Sequence, residues 1–282
     1  MKLLRYGPKG HERPGLVDSD GHIRALSGHI ADIDAEVLAN GLPALRELDP
    51  ESLPLAADQQ ARLAEPVSGV GKFLCIGLNY SDHAAEAGQP VPAEPILFTK
   101  ATSAIIGPND DVLLPPGSAK SDWEVELGVV IGKEARYVTR ESALDHVAGL
   151  CVVNDLSERE YQLERAGQWD KGKGCDTFGP FGPYLVTLDE IDDFDNLAMW
   201  LDVNGERMQD GNTATMIFDV PFLVHYVSQF MSLQPGDIIS TGTPPGVGMG
   251  KTPPVFLKEG DVIELGIEGL GRQRQLVRRY GA

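Results

Sequence analysis

Apolar residues in this chain fall in short runs separated by glycine- and proline-rich turns, with few long amphipathic stretches. Near the start, Pro14 to Val17, the polar Asp18-Ser19-Asp20-Gly21 and His22 to Leu26 read as strand, turn and strand. A brief helical pattern at Ile33, Val37 and Leu38 follows. The polar, proline-containing stretch from Leu48 to Ala64 then reads as a linker. From Val70 the texture changes to strands and long loops. Phe73 to Gly77 has the character of a buried strand, and Tyr80 to Ala87 that of a short helix ended by Gly88. Trp123 to Ile131 and Leu150 to Val153 are apolar strands, with a helix from about Glu141 to Val147 between them. Asn204-Gly205, flanked by alternating residues, is the strongest hairpin signal, and Phe222 to Met231 is an amphipathic helix. Pro235-Gly236-Asp237 and Glu259-Gly260-Asp261 each place a turn directly before a strand. Strands and helices do not alternate regularly, so a doubly wound sheet is not expected. The pattern predicts an α+β fold, predominantly β, with a small N-terminal α/β unit over residues 1–65 and a larger domain over residues 70–282.

Composition adds little to that picture, but charge changes it. The chain is 42% apolar and 23% charged, as ordinary globular proteins are, and 282 residues suffice for one large domain with an appendage. Acidic residues outnumber basic ones 42 to 24, for a net charge of -18, which argues against nucleic acid or an anionic membrane as partner. An anionic substrate would need a positive field built locally against that background. Cys75, Cys151 and Cys175 are scattered, with no paired spacing, which points to a reducing compartment. No apolar run approaches the ~18 residues of a membrane span, and Arg5 and Gly7 interrupt the N-terminus before a signal-peptide core can form. The expectation is a soluble, cytoplasmic protein.

Several residues are candidates for chemistry. In a strand, Glu124 and Glu126 point to one face about 7 Å apart, while Trp123, Val125 and Leu127 point to the other. Taken alone, the pair fits a solvated edge-strand face equally well. Asp155, closing the apolar strand Gly149 to Asn154, offers a third oxygen ligand. Three carboxylates without a cysteine pair suit a hard cation such as magnesium or manganese. His83 and Glu86 lie three apart on a short helix, so the carboxylate can hold one imidazole nitrogen and leave the other as a base; an exposed ion pair fits the same spacing. Arg159 and Gln162 share a helical face, and Arg159 can clamp a carboxylate at two points. The stretch Lys171 to Pro180 looks too rich in glycine for a helix and reads as a loop that brings Lys173 close to a ligand, although solvent-facing lysines fit as well. Thr241 to Gly248 can wrap an anion with hydroxyls and amides, but lacks the lysine and helix of a nucleotide-binding loop. Asp82 reads as a helix-start residue, and the other histidines have no partners at ligand spacing.

Together, six strings resemble the fumarylacetoacetate hydrolase superfamily, in its order, over about residues 70 to 280. They are Gly77-Leu78-Asn79-Tyr80 through His83 and Glu86, Phe98-Thr99-Lys100, Glu124-Val125-Glu126-Leu127, Asn154-Asp155, Lys173 to Pro180, and Thr241 to Gly248. The resemblance implies a mixed β-sandwich roll, a homodimer, and Mg²⁺ or Mn²⁺ bound by Glu124, Glu126 and Asp155. It also implies a mobile lid over residues 80–88 carrying the His83–Glu86 pair, and Lys173 as active-site lysine. Arg159, Gln162 and Thr243 match substrate-holding positions, and Tyr80 and Lys100 are expected with them. Cys175 stands where the family often has phenylalanine. The activity implied is metal-dependent hydrolysis of a carbon–carbon bond in a small anionic 2,4-dioxo acid, releasing pyruvate. The N-terminal segment is similar to the bacterial branch acting on 2,4-diketo-3-deoxy-sugar acids, which is often labelled ureidoglycolate lyase. The same site geometry also serves acylpyruvate hydrolysis, oxaloacetate decarboxylation and 2-hydroxyhepta-2,4-diene-1,7-dioate isomerisation. A non-catalytic oxo-acid-binding protein is the alternative of another class.

Overall fold

The computed structural model describes residues 1–86 and 88–281. Two sheets dominate. The larger has nine strands, running in space from Ile23–Ala25 through Arg13–Val17, Lys2–Tyr6, Leu185–Val186 and Val147–Asn154 to Val125–Ile131, and then Ile238–Ser240, Phe73–Gly77 and Ile96–Lys100. The second has five strands, in the order Glu206–Asn212, Ala198–Val203, Val262–Ile267, Gly271–Arg279 and Val112–Leu114. The architecture is α+β and predominantly β. The longest helix, Val220–Ser228, is capped by the Asp219 side chain accepting from the Phe222 amide. No helix among the described residues is long and apolar enough to cross a membrane.

The site is placed by the two strands at the middle of the large sheet. Val125–Ile131 is buried throughout. Its odd positions, with Trp123 before them, enter the core cluster shared with the second sheet, whereas Val130 enters a separate cluster on the opposite face. Glu124 and Glu126 lie on Val130's face, at the end of the strand where that apolar cluster stops. One continuous period-two pattern therefore supplies core at one end and clustered carboxylates at the other. Val147–Asn154 runs antiparallel beside it, with Val153 opposite Glu126 and Asn154 opposite Val125. That register carries Asp155 alongside Glu124, whose carbonyl accepts from the Asp155 amide at 2.9 Å.

The change of pattern near residue 65 is not a break in the structure. Lys2–Tyr6 pairs antiparallel with Leu185–Val186, so residues of the first 65 continue the same sheet. The stretch Leu48 to Ala64 also makes strand-like bridges, Leu55 with Arg24 and Leu63 with Tyr6. The Asn204-Gly205 hairpin forms, both turn residues having positive φ, at 54° and 79°, as a type I′ turn requires. Of the helix expected at Glu141 to Val147, a 3₁₀ segment at Ala143–His146 is present. The helix over the eighties spans Ser81–Glu86; Ala87 lies outside the described residues.

Candidate active site

Oxygen atoms of Glu124, Glu126 and Asp155 come within 4.8 Å of one another, and all three residues are buried. Each carboxylate has different neighbours. Glu124 accepts from Arg159 Nη2 at 2.7 Å and from Lys173 Nζ at 2.6 Å. Burial alone would raise its carboxyl, but the lysine and the arginine outweigh burial and bring it down to about 2. Asp155 accepts from Lys173 Nζ at 2.8 Å and from Lys100 Nζ. Among the described residues no cation bonds Glu126: its partners are the Ser240 hydroxyl at 2.5 Å and the Gly242 amide at 2.9 Å. Burial, and then the charges of Asp155 and Glu124, push its carboxyl well above the usual range. A divalent cation between the three would relieve that repulsion, and an all-carboxylate donor set suits a hard ion. The residues present therefore fit the group.

The cations around the cluster are held firmly. Arg159 Nε donates to Asp122 Oδ2 at 2.8 Å and its Nη1 to Gln162 Oε1 at 3.0 Å, so the guanidinium plane is fixed from three sides. Burial works against charge on Arg159 and Lys173, but the carboxylates of Asp122 and Glu124 for the first, and of Asp155 and Glu124 for the second, hold both above their ordinary values. Lys173 closes a single helical turn, Asp170–Lys173, where the sequence suggested a loop. Gly172 explains the difference. A Cβ there would lie 2.4 Å from the Glu158 carbonyl oxygen and 2.6 Å from the Gln162 backbone nitrogen, so glycine is required for close packing. Lys173 Nζ also sits over the Phe98 ring, 5.1 Å from its centre.

Above this floor, His83 Nδ1 bonds Glu86 Oε2 at 3.1 Å, leaving Nε2 as the nitrogen available for proton transfer. Both Glu86 oxygens accept from the Gly246 amide at 3.1 Å. Gly246 has φ of +104°, and a Cβ there would fall 2.0 Å from the Met208 carbonyl oxygen, so only glycine can present that amide. Asn79, at the base of the helix, donates to Thr241 O at 2.7 Å and to Phe218 O at 3.0 Å, tying the helix to the segment that follows the Ile238–Ser240 strand.

One cavity of about 720 Å³ joins these groups. Glu124, Glu126, Lys173, Arg159, Gln162 and Thr243 line it, as do His83 and Glu86. Asp155 and Lys100 lie beneath its wall, fully or almost fully buried, and Lys100 contacts Asp155 and the Leu156 carbonyl. Tyr80 is elsewhere: it is wholly buried in the core, and its hydroxyl is directed at Met199 Sδ, 3.3 Å away. Thr243 borders the cavity, but its hydroxyl donates to the Val125 carbonyl at 2.9 Å and accepts from Gln209 at 2.8 Å. Sequence reasoning missed Asp122, Ser240 and Lys251. Asp122 sits two positions before Glu124, so strand periodicity could have flagged it; nothing local marks the other two.

With this geometry in view, comparison with known proteins is specific. The profile described as "Fumarylacetoacetate (FAA) hydrolase C-terminal" matches residues 72–278, and the chain belongs to that family of enzymes. Three solved structures are similar along the whole chain. The fumarylacetoacetate hydrolase of Exiguobacterium antarcticum is 37% identical, covers 99% of both chains and has a TM-score of 0.89. The maleylpyruvate hydrolase of Sphingobium sp. SYK-6, solved in complex with manganese(II) and pyruvate, is 32% identical over 99% of both chains with a TM-score of 0.82. The 2-hydroxyhepta-2,4-diene-1,7-dioate isomerase of Mycobacterium marinum is 31% identical over 100% of both chains with a TM-score of 0.77.

Proposed function

We propose that this enzyme is a divalent-metal-dependent hydrolase that cleaves the C3–C4 bond of a 2,4-dioxo acid and releases pyruvate. The observation that carries the reading is the joining of a three-carboxylate cluster and a His–Glu pair by one cavity. Magnesium or manganese held by Glu124, Glu126 and Asp155 would supply the Lewis acidity that polarises a 2-oxo acid head. Arg159, fixed between Asp122, Glu124 and Gln162, offers donors to the head carboxylate. Lys173 keeps its proton, because Asp155 and Glu124 stabilise the ammonium, and so adds fixed positive charge where negative charge develops. His83 Nε2 takes a proton from water, whose oxygen bonds to C4. The C3–C4 bond then breaks with its electron pair going to C3, which accepts a proton. C4 departs as a carboxylic acid, and the remainder is pyruvate. Glu86 holds the imidazole in the tautomer this requires. The manganese and pyruvate of the Sphingobium relative support the same reading.

The test is pyruvate release from diketo-deoxy-rhamnonate, diketo-deoxy-fuconate, acetylpyruvate and oxaloacetate, with magnesium, manganese or chelator. Metal-dependent pyruvate from a 2,4-dioxo acid is the expected result. Its absence with metal demonstrably bound would favour isomerisation, the activity named for the Mycobacterium marinum relative. Glu126→Ala should abolish turnover with an unchanged circular dichroism spectrum. His83→Ala should lower kcat by about 10²–10⁴-fold, the range for loss of a general base. Full turnover by either variant would sink the assignment.

A further inference from the structure

Asp122 lies two positions before Glu124 and is wholly buried. A buried carboxylate is costly unless its oxygens are bonded, and both oxygens of Asp122 are bonded twice. Oδ1 accepts from the Trp123 amide at 2.8 Å and the Gly248 amide at 2.6 Å. Oδ2 accepts from Arg159 Nε at 2.8 Å and the Met249 amide at 3.0 Å. These donors come from three parts of the chain: the segment leading into Val125–Ile131, the segment that carries Arg159, and the tight turn Gly248–Gly250.

That turn belongs to a loop that flanks Glu86. Before the turn, Gly246 donates its amide to both Glu86 oxygens at 3.1 Å, and its carbonyl accepts from Trp123 Nε1 at 3.2 Å. At the far end of the turn, Gly250 lies against the same carboxyl, where a Cβ would stand 3.3 Å from Glu86 Cδ. Gly248, between them, approaches so closely that a Cβ would fall 2.7 Å from Asp122 Oδ1 and 2.0 Å from the Val255 carbonyl oxygen. The middle of the loop therefore rests on Asp122, and its two ends meet Glu86. Val247, Met249 and Gly250 line the cavity that Arg159, His83 and Glu86 share.

One carboxylate thus touches both halves of the site: the guanidinium, and the loop that seats the partner of the histidine. Hydrogen bonds accepted by an ionised group are stronger than neutral ones, and a satisfied buried network holds its donors in one mutual arrangement. We propose that Asp122 is a positioning residue that couples the two ends of the reaction. It fixes the guanidinium that takes the substrate's head and, through residues 246–250, the carboxylate that orients the base. This rests on the roles given above to Arg159 and the His83–Glu86 pair, and adds the residue that sets one relative to the other.

The test compares magnesium-loaded native protein with Asp122→Asn, which keeps the shape of the side chain but replaces one acceptor oxygen by a donor. Two readouts need no turnover. They are the dissociation constant of oxalate, a mimic of the 2-oxo acid head, by calorimetry, and hydrogen exchange of residues 81–86 and 246–250 by mass spectrometry. In Asp122→Asn, oxalate should bind roughly tenfold more weakly, as for loss of one charge-assisted hydrogen bond. Exchange in both segments, read without oxalate, should quicken about fivefold or more while that of Val125–Ile131 stays native. A double-mutant cycle separates positioning from general loosening. Glu86→Ala alone should quicken residues 81–86, and adding Asp122→Asn should quicken them no further, because both act through one loop. Additive effects, or unaltered exchange of residues 81–86 in Asp122→Asn, overturn the coupling. Should Asp122→Asn not fold, Arg159→Lys removes the Nε donor and keeps the charge. It should weaken oxalate and loosen both segments, and unchanged exchange in them overturns the coupling equally. Native protein that fails to bind oxalate overturns the head reading and the Arg159 arm of this inference, whereas exchange in the oxalate-free protein judges the link from Asp122 to Glu86 alone.

Discussion

At the scale of single residues, the most consequential one is Glu126, the proposed ligand that bonds no cation among the described residues. Burial, Asp155 and Glu124 raise its carboxyl, so the cation-free protein retains a proton there at pH values where an exposed glutamate has lost it. A divalent ion must displace that proton, and displacement becomes harder as pH falls. The affinity for magnesium or manganese should therefore weaken as pH falls from neutral towards the range where an exposed glutamate titrates, by up to about tenfold per unit below the raised value. Calorimetry in buffers of different ionisation enthalpy should show a proton released on binding. An affinity that stays flat across this range, with no proton released, would contradict the assignment. The carboxylate cluster could be read from sequence because a strand alternates its faces: Glu124 and Glu126 had to share one, and Asp155 had only to arrive alongside. Asp122 was not read. Its role depends on Arg159 and on the amides of Gly248 and Met249, 37 to 127 positions away in the chain. Tyr80 shows the reverse limit. Its motif is local, but the direction of its ring is set by the core it enters.

Elements were readable where periodicity alone shapes them, as in Phe73–Gly77, Val125–Ile131 and the Asn204-Gly205 hairpin. They were not readable where a long-range contact shapes them. The turn Asp170–Lys173 looks unhelical because of Gly172, yet that glycine is there for proximity: the turn presses against Glu158 and Gln162. Gly172→Ala therefore does not act as an ordinary helix-favouring change. Overpacking of a closed contact costs about 1–3 kcal/mol, well above the few tenths to 1 kcal/mol that alanine gains in a helix. The expected outcome is a lower thermal midpoint and, because Lys173 and Arg159 flank the contact, a weaker metal affinity in the same variant. A midpoint equal to or above that of the native protein would show that the turn can move aside.

Across the whole molecule, the first 65 residues pose the question of what they are for. Their sequence reads as a separate small unit, and the family match begins only at residue 72. In the structure, Lys2–Tyr6 occupies the sheet position beside Leu185–Val186. Leu3, Leu16, Leu26, Ile33 and Leu38 share one buried cluster with Phe73, Cys75, Val130 and Val153. That cluster lies on the face of the central strands that carries Glu126, on which Val153 stands directly opposite Glu126. A chain trimmed to residues 70–282 would leave Leu185–Val186 as an open edge and expose this apolar face to water, conditions that promote aggregation. The trimmed chain should be insoluble, or soluble only as a dye-binding state without fixed packing, and it should lack the native protein's metal affinity. Solubility on expression, near-ultraviolet circular dichroism and calorimetry with manganese would decide it. A trimmed chain that is folded and binds manganese normally would make the N-terminal segment a true appendage, and its shared core with the strands of the carboxylate cluster incidental.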